Sequence, residues 1–179
     1  FRQAFERFPP ADMRLIWSGG KDSTLTTWIC REYCRGKGLA MPKAFTIDEG
    51  DAFEEIDELL KRYAKEWGIV LDWGRNEDVL NAAGHKLDAE VTVSRLNARN
   101  QAEIKRIGFD LKAFPFEAES YVGNHLMKTV VFNTYLEDNG VKAVFQGLRW
   151  DEQSARQKDE YIDEVPAGEL VPAHTRIRP

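Results

Sequence analysis

The stretch Trp17-Ser-Gly-Gly-Lys-Asp-Ser23 decides the fold of this chain. The apolar segment that ends in it, Met13 to Trp17, predicts a buried parallel strand, and the segment that follows, Thr24 to Arg35, predicts a helix. The two glycines allow backbone angles that other residues avoid, and they let a ligand approach the main chain. The first amides of a helix have no partner inside the helix, and the helix dipole favours an anion there. The sequence therefore predicts a phosphate site at this turn.

The residues of the turn supply further donors to an anion, because Lys21 adds a positive charge and Ser18 and Ser23 add hydroxyl groups. The spacing is not that of the common P-loop, Gly-x-x-x-x-Gly-Lys-Ser/Thr. The string instead resembles the PP-loop of the ATP pyrophosphatase superfamily, whose members grip the phosphates of ATP and cleave between the α and β phosphates. The resemblance implies that the nucleotide phosphates are held by Ser18, Gly19, Gly20, Lys21, Asp22 and Ser23.

Size and composition limit the class of protein. A chain of 179 residues is most simply one domain with a real core. The net charge of −5 gives no general attraction to nucleic acid. No apolar run approaches the roughly 18–20 residues of a membrane span. The two cysteines are too few for a disulfide framework, which favours a cytoplasmic, reducing location.

Cys30 and Cys34 are four residues apart and therefore share one face of the predicted helix. They could supply half of a metal site or act as a redox pair. We favour packed thiols behind the glycine-rich turn, since free cysteine is commonly buried. We expect neither cysteine to be catalytic.

The remaining pattern alternates short apolar runs with amphipathic stretches. Phe1 to Phe8 predicts the end of a helix, Lys43 to Ile47 and Ile69 to Trp73 predict strands, and Ala52 to Trp67 predicts an amphipathic helix. The order β-α-β-α-β implies a mostly parallel sheet with right-handed crossovers. The second half is predicted to hold a helix at Asn97 to Ile107, an irregular aromatic segment at Gly108 to Asn124, a helix at His125 to Asn139, a fourth strand at Val141 to Phe145 and a last strand at His174 to Pro179.

A second polar segment, Gly147 to Arg156, directly follows the fourth predicted strand. Open α/β sheets bind ligands at the carboxyl ends of their strands. Arg149 and Arg156 could converge on one anion, because the guanidinium fork donates two hydrogen bonds at once. Asp151 and Glu152 could orient these arginines or hold Mg²⁺ together with phosphate oxygens.

The combination of the turn with Gly147-x-Arg-x-Asp-Glu-x-x-x-Arg156 resembles the phosphoadenosine phosphosulfate (PAPS) reductase family. That family includes the small subunit of bacterial ATP sulfurylase, the sulfonucleotide reductases and FAD synthetase. Tyr121 to Thr129 resembles a stretch of the ATP sulfurylase subunit that contains His and Met-Lys-Thr, and His174 to Pro179 resembles a family strand that ends in Arg-x-x-Pro. The resemblance covers nearly the whole chain and implies an α/β fold, a three-layer sandwich with a parallel sheet that is adenine nucleotide α-hydrolase-like.

The resemblance also implies roles for single residues. Asp48 sits where the second strand meets the nucleotide, Gly147 joins the nucleotide-binding residues, and Asp151 is the candidate contact to Mg²⁺ at the phosphates. A lone histidine on a helix is more often structural than catalytic, so we expect a structural role for His125. The residues implied to surround the pyrophosphate or sulfate-like group and to act in the reaction are Lys21, Lys128, Arg149 and Arg156. We expect one PAPS reductase-like domain over residues 1–179, truncated at both ends.

Three functions stay open. The first is an enzyme that uses ATP and Mg²⁺ to adenylate an oxyanion, with sulfate as the leading substrate, and the intact Lys21 favours it. The second is a sulfonucleotide reductase, which would need a thiol beyond Pro179 because no cysteine follows Cys34. The paired cysteines of iron–sulfur reductases are missing from residues 1–179, so no such cluster is expected in this part of the chain. The third is a nucleotide-binding module without turnover. The expected ligands are an adenine nucleotide and a small oxyanion, and a homo-oligomer or a partner subunit stays open.

Overall fold

The computed structural model describes residues 1–50, 52–117, 120–147, 165 and 169–170. The helices of this part, in chain order, are α1 Arg2–Arg7, α2 Lys21–Lys37, α3 Glu54–Trp67, α4 Glu77–Ala82, α5 Ala98–Arg106, α6 Tyr121–Asn124 and α7 Val131–Asp138. The strands are β1 Met13–Ile16, β2 Lys43–Ile47, β3 Leu71–Gly74, β4 Glu90–Thr92, β5 Ala113–Pro115 and β6 Ala143–Phe145. A π-helical segment, His125–Val130, joins α6 to α7. The strand expected at 174–179 lies outside the described residues.

The chain divides into two compact units. The first consists of Phe1–Thr46, Phe53–Trp73 and Leu136–Pro179, and the second consists of Ile47–Ala52 and Gly74–Tyr135. Each unit is therefore assembled from segments that are distant in sequence. The expectation of one domain over the whole chain stays a prediction.

The sheet that contains β1 confirms the predicted α/β class. Its strand order is β3-β2-β1-β6, and the four strands form a parallel sheet flanked by helices. In the register, Arg14 of β1 lies opposite Lys43 of β2 and Val144 of β6. The first strand of the chain therefore lies inside the sheet, between a strand that follows it closely and one that comes more than a hundred residues later.

The core of the first unit lies between this sheet and its helices. Alternate side chains of β1 and the residue after it, Leu15 and Trp17, are fully buried with Leu60 of α3. The Trp17 ring stacks on Trp67 at the end of α3, with centroids 5.7 Å apart and an interplanar angle of 6°. Burying such a side chain contributes about 1.5–3 kcal/mol, so this packing fixes the strand end where the glycine-rich turn begins.

The second unit has its own apolar core, formed by α4, α5, the π-helical segment and a two-stranded sheet. In that sheet β4 pairs antiparallel with β5, and Val91 lies opposite Phe114. The prediction of an irregular segment over 108–124 was therefore wrong in part, because β5 and α6 lie within it. β5 has only one buried residue, Phe114, so no apolar run marks it as a strand.

The helix expected over 125–139 is interrupted in its winding. Its first part, His125–Val130, is π-helical, and α-helical geometry resumes at Val131. A π turn adds one residue to the hydrogen-bonded ring, and such turns are frequent at functional sites. Within the part of the chain that the structure describes, no helix combines the length and the apolar character that crossing a bilayer requires.

Candidate functional site

The glycine-rich turn connects β1 to α2 through a backbone that only glycine fits. Gly19 has a φ of +80°, a conformation that side chains rarely adopt. A Cβ atom at this position would lie 2.7 Å from Cγ2 of Ile56 in α3. The turn thus passes so close to a neighbouring helix that any side chain at Gly19 would displace it.

Helix α2 begins without a side-chain cap. Gly20 occupies the N-cap position in an extended conformation, and its carbonyl accepts the Thr24 amide at 2.9 Å. Glycine has no side chain to accept a bond from the amides of the first helical turn. With the dipole of a 17-residue helix behind them, these amides form an environment suited to an anion.

The two serines of the turn have different environments. Ser18 is exposed, whereas Ser23 is buried on the first turn of α2. The Ser23 hydroxyl donates to the Gly20 carbonyl at 3.0 Å and accepts the Ser18 amide at 3.3 Å. The two hydroxyl oxygens lie 3.1 Å apart. Ser23 therefore braces the turn internally, while Ser18 lies at its surface, and the expected phosphate contact of both serines stays a prediction.

The charges at the helix start are exposed. The Lys21 side chain is 71% exposed, and its ammonium pairs with the Asp22 carboxylate at 2.9 Å. Exposed pairs of this kind contribute little to stability, about 0–1 kcal/mol. The pair with Asp22 therefore opposes the attraction of the Lys21 ammonium to an anionic ligand only weakly.

Trp17 and Thr24 hold the two ends of the turn together, which sequence reasoning missed. The Trp17 indole Nε1 donates to the Thr24 hydroxyl oxygen at 2.9 Å. Since the ring is also stacked on α3, the bond ties the end of β1 to the first turn of α2. The only sequence signal was a tryptophan at the end of an apolar run, which equally fits a plain core residue.

Gly147, at the end of β6, packs directly on the first turn of α2. A Cβ atom there would lie 2.6 Å from the Asp22 carbonyl oxygen and 2.7 Å from the Ser23 amide nitrogen. The structure thus brings together the start of the second predicted segment and the glycine-rich turn. The other residues of that segment singled out from the sequence lie outside the described residues: Arg149, Asp151, Glu152 and Arg156.

Asp48 already has partners in the second unit. One carboxylate oxygen accepts the Gly50 amide at 2.8 Å, and the other forms an ion pair with Arg75. Arg75 lies 27 residues away, so no local motif could have revealed the pair. Its expected contact with the nucleotide stays a prediction.

Lys128 is a buried cation on the π-helical segment. Its side chain is 9% exposed, and its ammonium pairs with the Glu49 carboxylate at 2.8 Å. Three residues earlier on the segment, His125 Nε2 lies 2.9 Å from a carboxylate oxygen of Glu103 on α5. This contact fits the structural role expected for His125. The role of Lys128 at a phosphate stays a prediction.

The structure bears out the expectation of packed thiols. Cys30 and Cys34 are 0% and 2% exposed in the core of the first unit. Burial raises the pKa of both thiols above their ordinary value. A thiol of this kind is a poor nucleophile at neutral pH, because the thiolate is the reactive form. Among the described residues, no group of three or more His, Cys, Asp or Glu side chains is arranged to hold a metal ion.

These features define a class of protein. The chain is an α/β protein whose glycine-rich turn follows β1, an inner strand that lies between β2 and β6 in a parallel sheet, at the strand end where such sheets bind ligands. The family model of the phosphoadenosine phosphosulfate reductase domain matches residues 12–172. The chain belongs to the PAPS reductase family, and the predicted adenine nucleotide α-hydrolase-like fold is confirmed.

The family suggests a nucleotide as the ligand but does not determine the kind of reaction. The family consists mostly of enzymes and includes sulfate adenylyltransferase small subunits as well as PAPS and adenylyl-sulfate reductases. It makes a nucleotide ligand and a place in sulfur metabolism plausible for this chain. A comparison with curated proteins finds no match.

Proposed function

We propose that this chain binds ATP and transfers its adenylyl group to a small oxyanion, with sulfate as the leading substrate. The observation that carries the proposal is the start of α2, where an uncapped helix with Lys21 beside it follows a Gly-Gly turn. A triphosphate tail requires several donors and a positive charge at one place. A ligand that already lacks the terminal phosphates requires fewer of them.

The proposed reaction does not require a covalent bond between the protein and the substrate. The oxyanion would attack the α-phosphate while pyrophosphate departs in line, and catalysis would come from positioning and from charge stabilisation. In this proposal the amides of the α2 start and Lys21 hold the departing phosphates. Asp48 and Gly147 belong to the nucleotide-binding residues, and the further cations for the pyrophosphate are Lys128, Arg149 and Arg156.

ATP reacts in such sites as its magnesium complex. Mg²⁺ in nucleotide sites is usually held by phosphate oxygens and one or two carboxylates, and it neutralises the phosphate charge. Asp151 is the proposed carboxylate. An uncapped helix start fits a bound phosphate, as no side chain caps its first amides.

The reductase is the second candidate, and the cysteines argue against its thiol lying in this chain. Cys30 and Cys34 are buried, their pKa is raised by burial, and Cys30 lies nine residues along α2 from Lys21. At 1.5 Å per residue that is roughly 13 Å from the helix start. A reductase built on this chain would therefore need a thiol beyond Pro179. Binding of ATP without turnover is the remaining alternative.

The test compares ATP binding and pyrophosphate release in Lys21→Ala with a matched variant, Lys37→Ala, at the opposite end of the same helix. Loss of one charged hydrogen bond costs about 1.5–3 kcal/mol, so Lys21→Ala should bind ATP roughly 10- to 150-fold more weakly. Lys37→Ala should bind ATP like the parent protein. Unchanged ATP affinity in folded Lys21→Ala would overturn the assignment of the turn.

Exchange of labelled pyrophosphate into ATP then separates the candidate functions. Exchange that depends on sulfate supports adenylation, and a panel of other oxyanions would identify the acceptor. Reduction of adenylyl sulfate or PAPS with thioredoxin, without exchange, would replace adenylation with the reductase. ATP binding without either activity would leave a nucleotide-binding module.

A further inference from the structure

We propose that Asn76 is a positioning residue, which holds the π-helical segment in place and thereby keeps the Lys128 ammonium at Glu49. The consequence for nucleotide binding rests on the role that the proposed function gives to Lys128. The contacts themselves lie within the second unit and involve α4, α5 and the π-helical segment.

Asn76 and Asn100 form a reciprocal amide pair in the core. Each Nδ2 donates to the other Oδ1, at 3.0 Å from Asn76 and 3.1 Å from Asn100. Asn76 is 9% exposed and Asn100 is 1% exposed. The Asn76 Nδ2 also donates to the backbone carbonyl of Leu126 at 3.0 Å. The buried amide pair thus orients one donor, the Asn76 Nδ2, towards a backbone carbonyl of the π-helical segment.

The orientation of this pair is fixed from outside. The Asn100 Nδ2 donates to the Asp78 carboxylate at 2.7 Å, and a carboxylate can only accept. Asn100 must therefore turn its amide nitrogen towards Asp78, which leaves its carbonyl oxygen for Asn76. Asn76 in turn presents its donors to Asn100 and to Leu126, and its oxygen also caps the start of α4 by accepting the Val79 amide at 3.4 Å.

The π-helical segment depends on such outside contacts. Its hydrogen-bonded ring contains one residue more than that of an α-helix, so relaxing to α geometry shifts the register by one residue. One residue corresponds to about 100° of rotation around the helix axis. Lys128 follows Leu126 by two residues, and a rotation of this size would carry its ammonium away from Glu49. The bond from Asn76 to Leu126 opposes that relaxation.

The first test measures the position of Lys128 without reference to function. Asn76→Asp keeps the shape, the acceptor for Asn100 and the cap of α4, but it removes both donors. The matched control is Ile104→Val, which weakens the same apolar core and leaves the amide pair intact. Amines are labelled with acetic anhydride in the intact protein, and peptides are quantified by mass spectrometry with Lys142, which is 65% exposed, as the reference.

Lys128 should be labelled slowly in the parent protein and in Ile104→Val. In Asn76→Asp its labelling should be about fivefold faster, the factor that corresponds to one net hydrogen bond. Unchanged protection of Lys128 in folded Asn76→Asp would overturn the proposal. If Asn76→Asp does not fold, Asn76→Ser removes the long-reaching donor without adding a charge and decides the question by the same measurement.

The second test asks whether Asn76 acts through Lys128. ATP affinity is measured by calorimetry for Asn76→Asp, Lys128→Ala and the double variant, as a double-mutant cycle. Asn76→Asp should weaken ATP binding about fivefold in the parent background and should have no effect once Lys128 is alanine. Equal effects in both backgrounds would refute action through Lys128. If Lys128→Ala alone leaves ATP affinity unchanged, the nucleotide role of Lys128 fails, and the labelling result still decides what Asn76 positions.

Discussion

Replacing Gly147 with alanine would add one methyl group against the first turn of α2. The new carbon would lie 2.6 Å from the Asp22 carbonyl oxygen and 2.7 Å from the Ser23 amide nitrogen, both of them backbone atoms that cannot rotate away. The backbone of Gly147 does not have a positive φ, so the effect is steric rather than conformational. Overpacking by a methylene-sized group costs about 1–3 kcal/mol. If α2 yields, its first amides move, and ATP should bind roughly 5- to 150-fold more weakly.

Calorimetric titration with ATP and thermal unfolding together test this prediction. For a chain of this size each kcal/mol corresponds to about 2–4 °C in Tm. The matched control is Gly36→Ala on the same helix, where nothing lies within 4 Å of the added carbon. Since glycine inside a helix is destabilising by roughly 0.5–1 kcal/mol relative to alanine, Gly36→Ala should raise Tm and leave ATP affinity unchanged. Parent-like ATP affinity and Tm in Gly147→Ala would refute the reasoning that the end of β6 supports the anion site.

Three further variants probe the same region. The double variant Cys30→Ser and Cys34→Ser should keep its nucleotide chemistry, and loss of turnover with stability and ATP binding preserved would return the reductase to first place. Burial raises the pKa of both thiols above the ordinary 9.0, so the stability that the neutral thiols contribute is present below about pH 9 and is lost as the pH rises further. The urea midpoint of the parent protein should therefore fall more steeply above pH 9 than that of the double variant. Trp17→Phe removes the bond to Thr24 and should cost about 1–3 kcal/mol in urea unfolding, whereas an unchanged midpoint would mean that the bond contributes nothing. Gly19→Ala should lower ATP affinity more than Gly36→Ala does, as its added carbon meets α3 in a backbone that disfavours side chains, and equal affinities in titration would contradict this.

Local patterns sufficed for most of the sheet. β2 was predicted at its observed bounds, and β1, β3 and β6 within two residues, because each is a short apolar run beside a turn signal. The amphipathic pattern of α3 likewise marked its end at Gly68. The two-stranded sheet of β4 and β5 was missed, since its strands are far apart in sequence and gain their stability from pairing with each other and from the core of the second unit. The π-helical winding was missed for a related reason, as its carbonyl contact comes from another element.

For the candidate site, too, the local motif could be predicted from the sequence and the distant contacts could not. The turn at Gly19 and Gly20 is a continuous motif, so its geometry followed from six neighbouring residues. The partners of Asp48 and Lys128 could not be foreseen, because Arg75 and Glu49 reach them through the tertiary fold rather than through spacing. The position of a single charged residue in a sequence does not indicate which residue of opposite charge it will pair with in the fold.

The register of β1 has a consequence for the order in which the molecule can be made. The chain passes from the first unit into the second and back twice before β6 exists, and only then can β1 gain its second neighbour. A ribosome must therefore have synthesised the chain past Gly147 before Gly147 can pack against the backbone of Asp22. Gly147 follows the glycine-rich turn by more than a hundred residues, so a nascent chain carries the turn without its full support until that later part has been synthesised.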